Sequence, residues 1–338
     1  MTKKISIIIP AYKVDGYIEK CIRSLENQDL SKDDYEIIVT NDGSPDRCQE
    51  IVESLQQEFS NIILINQENQ GVSMARNKAI AIAKGKYILP IDPDDYVFEN
   101  TLSAIYEEIN RLDLDIYCLN YCIEDSTKQM IWESDFSNFF NEIYKGSVAY
   151  KITTDKHIKD PDRSWAILYK TELLKKYNIY YPKDIPFLED GIFIASIFSV
   201  ADKVGFSDKK FYRRTVRKGS ATRSNLYYSY KSINGLLQGA FQLISLQKDN
   251  RLTPEQKAAL NQPVIKFIIM PIIACCSFKS FKHIFAVKKI LKEKKISKLD
   301  VSMCNEEYTN WGNSYNKSIY LIVVNQLYRN ILIKLKLN

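Results

Sequence analysis

Five apolar, largely β-branched runs recur early in the chain, at Ile5–Ile9, Glu36–Thr40, Ile62–Ile65, Tyr87–Ile91 and Ile116–Leu119, and helical patterns separate them at Gly16–Asn27, Arg47–Glu58, Ser73–Ala83 and Thr101–Leu112. That alternation leaves few folds open. Strands that are apolar on both faces must be covered on both, so the pattern predicts an α/β fold with a mostly parallel sheet, helices on both faces and right-handed crossovers. Ligands of such sheets bind at the carboxyl ends of the strands, beside the loops that follow them. The unusual residues of this sequence fall in those loops.

The fourth run stops at Asp92-Pro93-Asp94-Asp95. Three carboxylates in four residues repel one another and lose hydration when buried, a cluster tolerated where a cation sits among the oxygens; a polar turn is the plain alternative. After the first run, Pro10-Ala11-Tyr12-Lys13 offers an extended segment whose ring can border a base, or simply a strand-ending proline and a core tyrosine. After the second, Asp42-Gly43 makes a turn, and Ser44 can cap the next helix with Pro45 at its first position. Asp42 is left over, a carboxylate able to accept from a base imino group or a ribose hydroxyl. After the third, Gly71 turns the chain, Ser73 is a cap candidate, and Arg76 falls in the first helical turn, where a cation opposes the helix dipole. Its partner is either one of the Asp92–Asp95 carboxylates or a ligand phosphate. No G-x-G-x-x-G and no G-x-x-x-x-G-K-[ST] occurs here, which argues against dinucleotide and P-loop chemistry. Carboxylates and a metal without a glycine cradle point to a nucleoside diphosphate as leaving group.

Taken together, these stretches resemble the inverting glycosyltransferases of family 2, which have the GT-A fold. The resemblance runs through Ser6–Tyr12, Glu36–Val39 to Asp42-Gly43-Ser44, Gln70–Ser73 to Ala75-Arg76-Asn77, and Gly85-Lys86-Tyr87 to Asp92–Asp95; its weight lies in order and spacing over about the first hundred residues. It implies that Asp92 and Asp94 are the D-x-D pair, with Asp94 on a divalent cation, Mn2+ or Mg2+, and Asp92 nearer the ribose. Asp42 then matches the carboxylate that reads the base, and Pro10, Ala11 and Tyr12 match the stretch lining the nucleoside. Lys13 stands where many members carry Asn.

Further on, Arg163–Lys170 resembles the family's Trp-containing segment and is expected to open a helix ending near Tyr177. Glu189-Asp190 precedes the apolar helix Ile192–Val200. Two acids there complement a helix dipole, and one can cap it; by resemblance Asp190, with Glu189 as alternative, is the base that deprotonates the acceptor hydroxyl. Four cations crowd Phe211–Ser220. A solvated face accounts for them, whereas the family's Tyr-Arg segment implies that Arg214, with Ser220, or else Arg213 meets the diphosphate. Aromatic residues between Glu124 and Pro161 receive no role, since core packing explains them.

Charge is uneven: Lys279–Lys298 holds eight Lys and one Glu, so the rest of a +6 chain carries −1. That disfavours a nucleic-acid footprint and points to one anionic partner surface near the C-terminus. Val264–Cys276 is apolar but short of the ~20 residues that span a bilayer. In the tail, Ile319, Val323, Leu327, Ile331 and Leu335 form one helical stripe. These basic amphipathic segments either lie on an anionic membrane or pack as a bundle with lysines in water. Seven cysteines without C-x-x-C, two histidines and no export signal predict reduced thiols, no zinc site and a cytoplasmic protein, peripheral on the inner membrane face if the helices bind it.

The expected organisation is a nucleotide-sugar-binding half at 1–125, an acceptor-side half at 126–225 and a helical C-terminal extension at 226–338. The resemblance implies a metal-dependent transfer of sugar from a nucleotide diphosphate, preferably UDP, to a hydroxyl of a glycan or lipid-linked glycan in cell-envelope synthesis. A sugar-phosphate nucleotidyltransferase would want a glycine-rich loop after the first strand, and Pro10–Lys13 is not one. A catalytically silent scaffold is the third reading, against which Asp42, Asp92, Asp94 and Asp190 all stand.

Overall fold

The structure, a computed structural model, describes residues 3–155, 157–185, 188–216, 229–277 and 280–336. Strands β1 (Ile5–Ala11), β2 (Tyr35–Asp42), β3 (Ile62–Gln67) and β4 (Tyr87–Pro90) pair in parallel in the order β3-β2-β1-β4. Helices α1 (Ile18–Glu26), α2 (Cys48–Glu58), α3 (Val72–Ile82) and α4 (Leu102–Arg111) alternate with this part of the chain. Ile5, Ile7 and Ile9 of β1 share one core with Ile18, Ile22, Val52, Leu102 and Ile105 from α1, α2 and α4. Strand alternation turns Ser6 and Ile8 to the other face, where α3 packs on β1 and β2 through Ala75, Ala79 and Ile80.

One polar device is buried on that second face. Ser6 and Glu36 are register partners, and Ser6 Oγ donates to Glu36 Oε1 at 2.5 Å while accepting from Gly85 N at 2.8 Å. The same Glu36 oxygen accepts from Lys84 N at 2.7 Å. A Cβ on Gly85 would lie 2.3 Å from Ser6 N. The glycine before β4 is therefore required by the close approach of β1.

The second half of the sheet is mixed. Strands β5 (Tyr96–Val97), β6 (Ile116–Glu124), β7 (Met130–Glu133), β8 (Ile167–Lys170) and β9 (Val204–Thr215) extend the order to β3-β2-β1-β4-β8-β6-β9-β5. β8 runs antiparallel to both β4 and β6, β9 is parallel to β6, and β7 pairs with the far end of β6. Helices α5 (Gly146–Thr153) and α6 (Thr171–Tyr177) complete this part. The helix expected from Arg163 is thus corrected. Ala166 adopts φ 55°, which interrupts a helix, and Ile167-Leu168-Tyr169 are buried as a strand between two others; only Thr171–Tyr177 is helical.

The chain forms two compact units, Met1–Lys183 with Val200–Ser220 and Asp184–Ser199 with Ala221–Asn338. The sheet belongs to the first. The second takes residues 184–199 out of the stretch 126–225 and joins them to the C-terminal helices. It holds α7 (Glu189–Val200) up to Ser199, α8 (Tyr230–Gln247), α9 (Pro254–Ala259), α10 (Asn261–Ala274), α11 (Ile284–Glu293), α12 (Glu306–Lys317) and α13 (Ile319–Lys336). α10 is apolar nearly all round, and α8, α9, α11, α12 and α13 all pack on it. With α9 it makes Pro254–Ala274, a stretch long and apolar enough to cross a membrane and longer than the apolar segment read from the sequence, yet two-thirds of its apolar window is buried in the protein. That is the signature of a bundle's central helix.

Candidate active site

The acidic turn leaves the carboxyl end of β4. Asp95 N donates to Asp92 O at 3.1 Å, which folds the turn so that Asp92 and Asp94 are partly exposed and Asp95 is buried. Arg76, almost wholly buried, donates from Nη2 to Asp92 Oδ1 at 2.8 Å, and its guanidinium stands 5.0 Å from the Tyr181 ring centre. Of the two partners open to Arg76, the structure supplies the carboxylate. Asn77 exchanges two hydrogen bonds with the Tyr181 backbone, at 2.8 and 2.9 Å.

Asp95 has a different job from its neighbours. Its Oδ2 accepts from the Tyr212 hydroxyl at 2.7 Å and its Oδ1 from Thr215 N at 2.7 Å, both on β9. The same hydroxyl accepts from Asp92 N at 3.1 Å, and the Tyr212 ring stacks on Trp165 with centres 4.6 Å apart. Tyr212 therefore ties both ends of the acidic turn to β9. Sequence reasoning missed it, as it missed the division of labour among three identical side chains. Burial, and then the charges of Asp94 and Asp92, push the Asp95 carboxyl well above the usual carboxylate range.

At the ends of β1 and β2, Pro10 and Ala11 are buried opposite Thr40 and Asn41, while the Tyr12 ring is 42% exposed beyond the strand. Asp42 is buried and holds the β3–α3 loop: Oδ1 accepts from Gln67 Nε2 at 2.7 Å and Gln70 N at 2.8 Å, and Oδ2 from Gly71 N at 2.8 Å. Gly71, at φ 88°, is the N-cap of α3, so Ser73 lies inside that helix and does not cap it. Ser44 is not a cap either. Helix α2 begins at Cys48, and Asp46 accepts from Cys48 N at 3.2 Å, from Ser44 Oγ at 2.5 Å and from Asp15 N at 3.0 Å. Burial opposes the Asp46 charge, but the hydrogen bonds from Cys48, Ser44 and Asp15 hold its carboxyl far below the usual range. Ser44 Oγ also accepts from Lys13 N at 2.7 Å, so the loops after β1 and β2 are locked together.

The two arginines of β9 point apart, as strand alternation requires. Arg213 pairs with buried Glu124 at 3.0 Å and stacks 3.8 Å from the Phe98 ring centre. Arg214 lies 3.5 Å from Asp160. Ser220 and Phe187 lie outside the described residues. Glu189 and Asp190 form the first turn of α7, in the second unit, where they complement the helix dipole. The helix starts at Glu189, one residue before Asp190, so Asp190 is within the turn and is not its cap. Leu188, just before it, adopts φ 62°.

The donor set fits a hard divalent cation. Asp92 and Asp94 offer carboxylate oxygens, the ligands preferred by Mg2+ and Mn2+. Among the described residues no group of three or more His, Cys, Asp or Glu converges on one point. Two carboxylates need further oxygens from diphosphate and water. Burial is the main cause of the raised Asp95 carboxyl, and the charges of Asp94 and Asp92 add to it; a cation at Asp92 and Asp94 would offset that second contribution.

A parallel β3-β2-β1-β4 half-sheet carrying a D-x-D turn at its carboxyl edge, continued by a mixed half, defines a GT-A domain. Residues 6–173, close to half the chain, match the family model of glycosyl transferase family 2, and the chain belongs to that family. It is 34% identical over 218 residues to the uncharacterized glycosyltransferase EpsJ of Bacillus subtilis, a match covering 63% of this chain and 61% of EpsJ. It is 27% identical over 220 residues to the poly(ribitol-phosphate) beta-N-acetylglucosaminyltransferase TarS of Staphylococcus aureus, covering 64% of this chain and 36% of TarS. The matches thus span less than two thirds of either relative. The crystal structure of S. aureus TarS 1-349 in complex with UDP-GlcNAc superposes with a TM-score of 0.69 at 19% identity, covering 97% of this chain and 92% of that one. The mannosyltransferase PcManGT from Pyrobaculum calidifontis, in complex with GDP-Man and Mn2+, does so with a TM-score of 0.51 at 14% identity, covering 97% and 88%. At such identities these structures speak for the fold.

Proposed function

We propose that the protein is an inverting, metal-dependent glycosyltransferase that moves a sugar from a nucleoside diphosphate, preferably UDP, to a hydroxyl of a cell-envelope glycan or lipid-linked glycan. One observation carries the reading: the partly exposed carboxylates Asp92 and Asp94 stand at the carboxyl edge of a parallel sheet, with Asp92 held by Arg76 and the turn held by Tyr212. Uridine is favoured by the complex of TarS with UDP-GlcNAc, and a polymer acceptor by the poly(ribitol-phosphate) in the name of the same relative.

In this mechanism Pro10, Ala11 and Tyr12 line the nucleoside and Asp42 accepts from the base, while Arg76 acts indirectly by fixing Asp92. Asp94, with Asp92, would hold Mn2+ or Mg2+, which would supply positive charge against the departing diphosphate. Arg214 is the more loosely held of the two β9 arginines, 3.5 Å from Asp160 where Arg213 is 3.0 Å from Glu124 and stacked on Phe98, and is the one assigned to that diphosphate. Asp190, or failing it Glu189, takes the proton of the acceptor hydroxyl as its oxygen bonds to the anomeric carbon. The bond from that carbon to the diphosphate oxygen breaks in the same displacement, the leaving group keeps the electron pair, and the carbon inverts. An acceptor carried on a lipid would bring the protein to the cytoplasmic membrane face through its C-terminal basic helices.

The test is a thermal-shift and calorimetric panel of nucleotide sugars with and without Mn2+ or Mg2+. Binding that needs both sugar nucleotide and metal, and is weakened by Asp94→Asn, is expected. Asp190→Asn should abolish transfer while leaving donor affinity within about twofold. A response to nucleoside triphosphate plus sugar phosphate instead would identify a nucleotidyltransferase and refute the proposal.

A further inference from the structure

Helix α13 is apolar on two sides. Ile322 and Val323 are buried in the bundle, whereas Tyr320, Val324, Leu327 and Tyr328 recur at i, i+4, i+7 and i+8 and stay in solvent, with Val324 60% and Tyr328 62% exposed. The outward stripe differs from the one read from the sequence, whose Val323 is buried. Helix α11 repeats the arrangement: Ile284, Val287 and Leu291 are buried, and Phe285 is 67% exposed. Phe281, one turn earlier, is exposed beside it. Lys288 joins the two faces, donating from Nζ to the Tyr320 hydroxyl at 2.9 Å.

The result is one surface of aromatic and aliphatic side chains. Along the α11 stretch Lys282, Lys288, Lys289, Lys292, Lys294 and Lys295 are exposed, with one acid, Glu293, among them. Large exposed apolar side chains in a patch mark a contact surface. Charge decides the partner. A second copy docked face to face would set lysine against lysine, whereas an anionic bilayer offers phosphates to the lysines and an apolar boundary to the rings.

We propose that the α11–α13 face docks the protein on an anionic membrane, with Phe281, Phe285, Val324 and Tyr328 entering the headgroup boundary and the lysines meeting lipid phosphates. This rests on the reading that the acceptor is lipid-linked and names the surface that serves it.

The experiment is co-sedimentation of the full chain with vesicles of phosphatidylcholine containing about 30% phosphatidylglycerol, beside phosphatidylcholine alone. Binding to the anionic vesicles at low salt is expected to weaken about tenfold or more at high salt and on neutral vesicles. The triple variant Phe285→Ser, Val324→Ser, Tyr328→Ser should lose about tenfold or more. So should Lys288→Glu, Lys289→Glu, Lys292→Glu, which spares the apolar residues should the first variant fold poorly. Calorimetric UDP-sugar binding should be unchanged in both. No sedimentation at low salt, or equal sedimentation of folded variants, would overturn the proposal. So would a wild-type dimer that the serine variant dissolves, because the face would then belong to a second copy. Loss of donor binding in the wild type with vesicle binding intact would refute the catalytic reading alone.

Discussion

Changing Tyr212 to Phe removes one oxygen from the interior and little else. The ring keeps its stack on Trp165, so the cavity is negligible. Two hydrogen bonds disappear: the hydroxyl's donation to Asp95 at 2.7 Å and its acceptance from Asp92 N at 3.1 Å. A net hydrogen bond contributes about 1 kcal/mol, but a buried partner left unmade costs about 1–3 kcal/mol. Asp95 is a buried acid and keeps only the Thr215 N–H of its two β9 donors. The expected loss is about 2–4 kcal/mol. Urea unfolding followed by tryptophan fluorescence reads it directly, because Trp165 lies on the altered ring; with a slope of about 3 kcal/mol per molar, the midpoint falls by about 1 M. Donor affinity should weaken about tenfold as the Asp92–Asp94 turn loses its tether to β9. Tyr144→Phe, whose exposed hydroxyl donates to Glu142 at 2.8 Å, serves as control and should stay within about 0.5 kcal/mol of wild type. If Tyr212→Phe matches that control in both stability and donor affinity, the tether does not work as described.

Gly85→Ala places a Cβ 2.3 Å from Ser6 N and 2.6 Å from the Ile5 carbonyl carbon; backbone cannot yield as a side chain does, so a loss of about 3 kcal/mol or more is expected in urea unfolding. Arg76→Leu strands Asp92, which is 28% exposed and so partly rescued by water; the stability cost should be about 1–3 kcal/mol, with transfer down at least about tenfold and only partly restored by Arg76→Lys. Asp95 adds a pH signature. Its folded value is raised above the unfolded value near about 4, so its contribution is fully present below that pH and is lost as pH rises through the folded value. Asp95→Asn should remove this downward slope from urea midpoints plotted against pH, and an unchanged slope would refute the assignment.

The parallel half of the sheet was legible because its strands are apolar on both faces and separated by amphipathic helices. The acidic turn was legible too, since packing offers no reason for three carboxylates at a strand end. What could not be read were choices settled by distant partners. Ile167-Leu168-Tyr169 is too short for periodicity to separate strand from helix, and its fate is decided by β4 and β6. Ser44 and Asp46 are both residue types able to cap a helix, but Ser44 accepts from Lys13 N and Asp46 from Asp15 N, partners that lie in the loop after β1. Asp92, Asp94 and Asp95 are chemically the same; Tyr212 and Thr215 select the one that turns inward. Along α13 one stripe was read, yet of its members Val323 is buried and Leu327 is exposed, because the packed bundle decides which apolar side is covered.

The insertion of β8 between β4 and β6 has a consequence for synthesis on the ribosome. The β4 edge bonds to residues 169 and 170, so the earlier strands emerge with one flank of donors and acceptors lacking its mate. A nascent chain halted at residue 130 would display that flank to other nascent chains. Closure waits until Lys170 has cleared the exit tunnel, and a protein cut after β6 should accumulate in aggregates where the full-length chain does not.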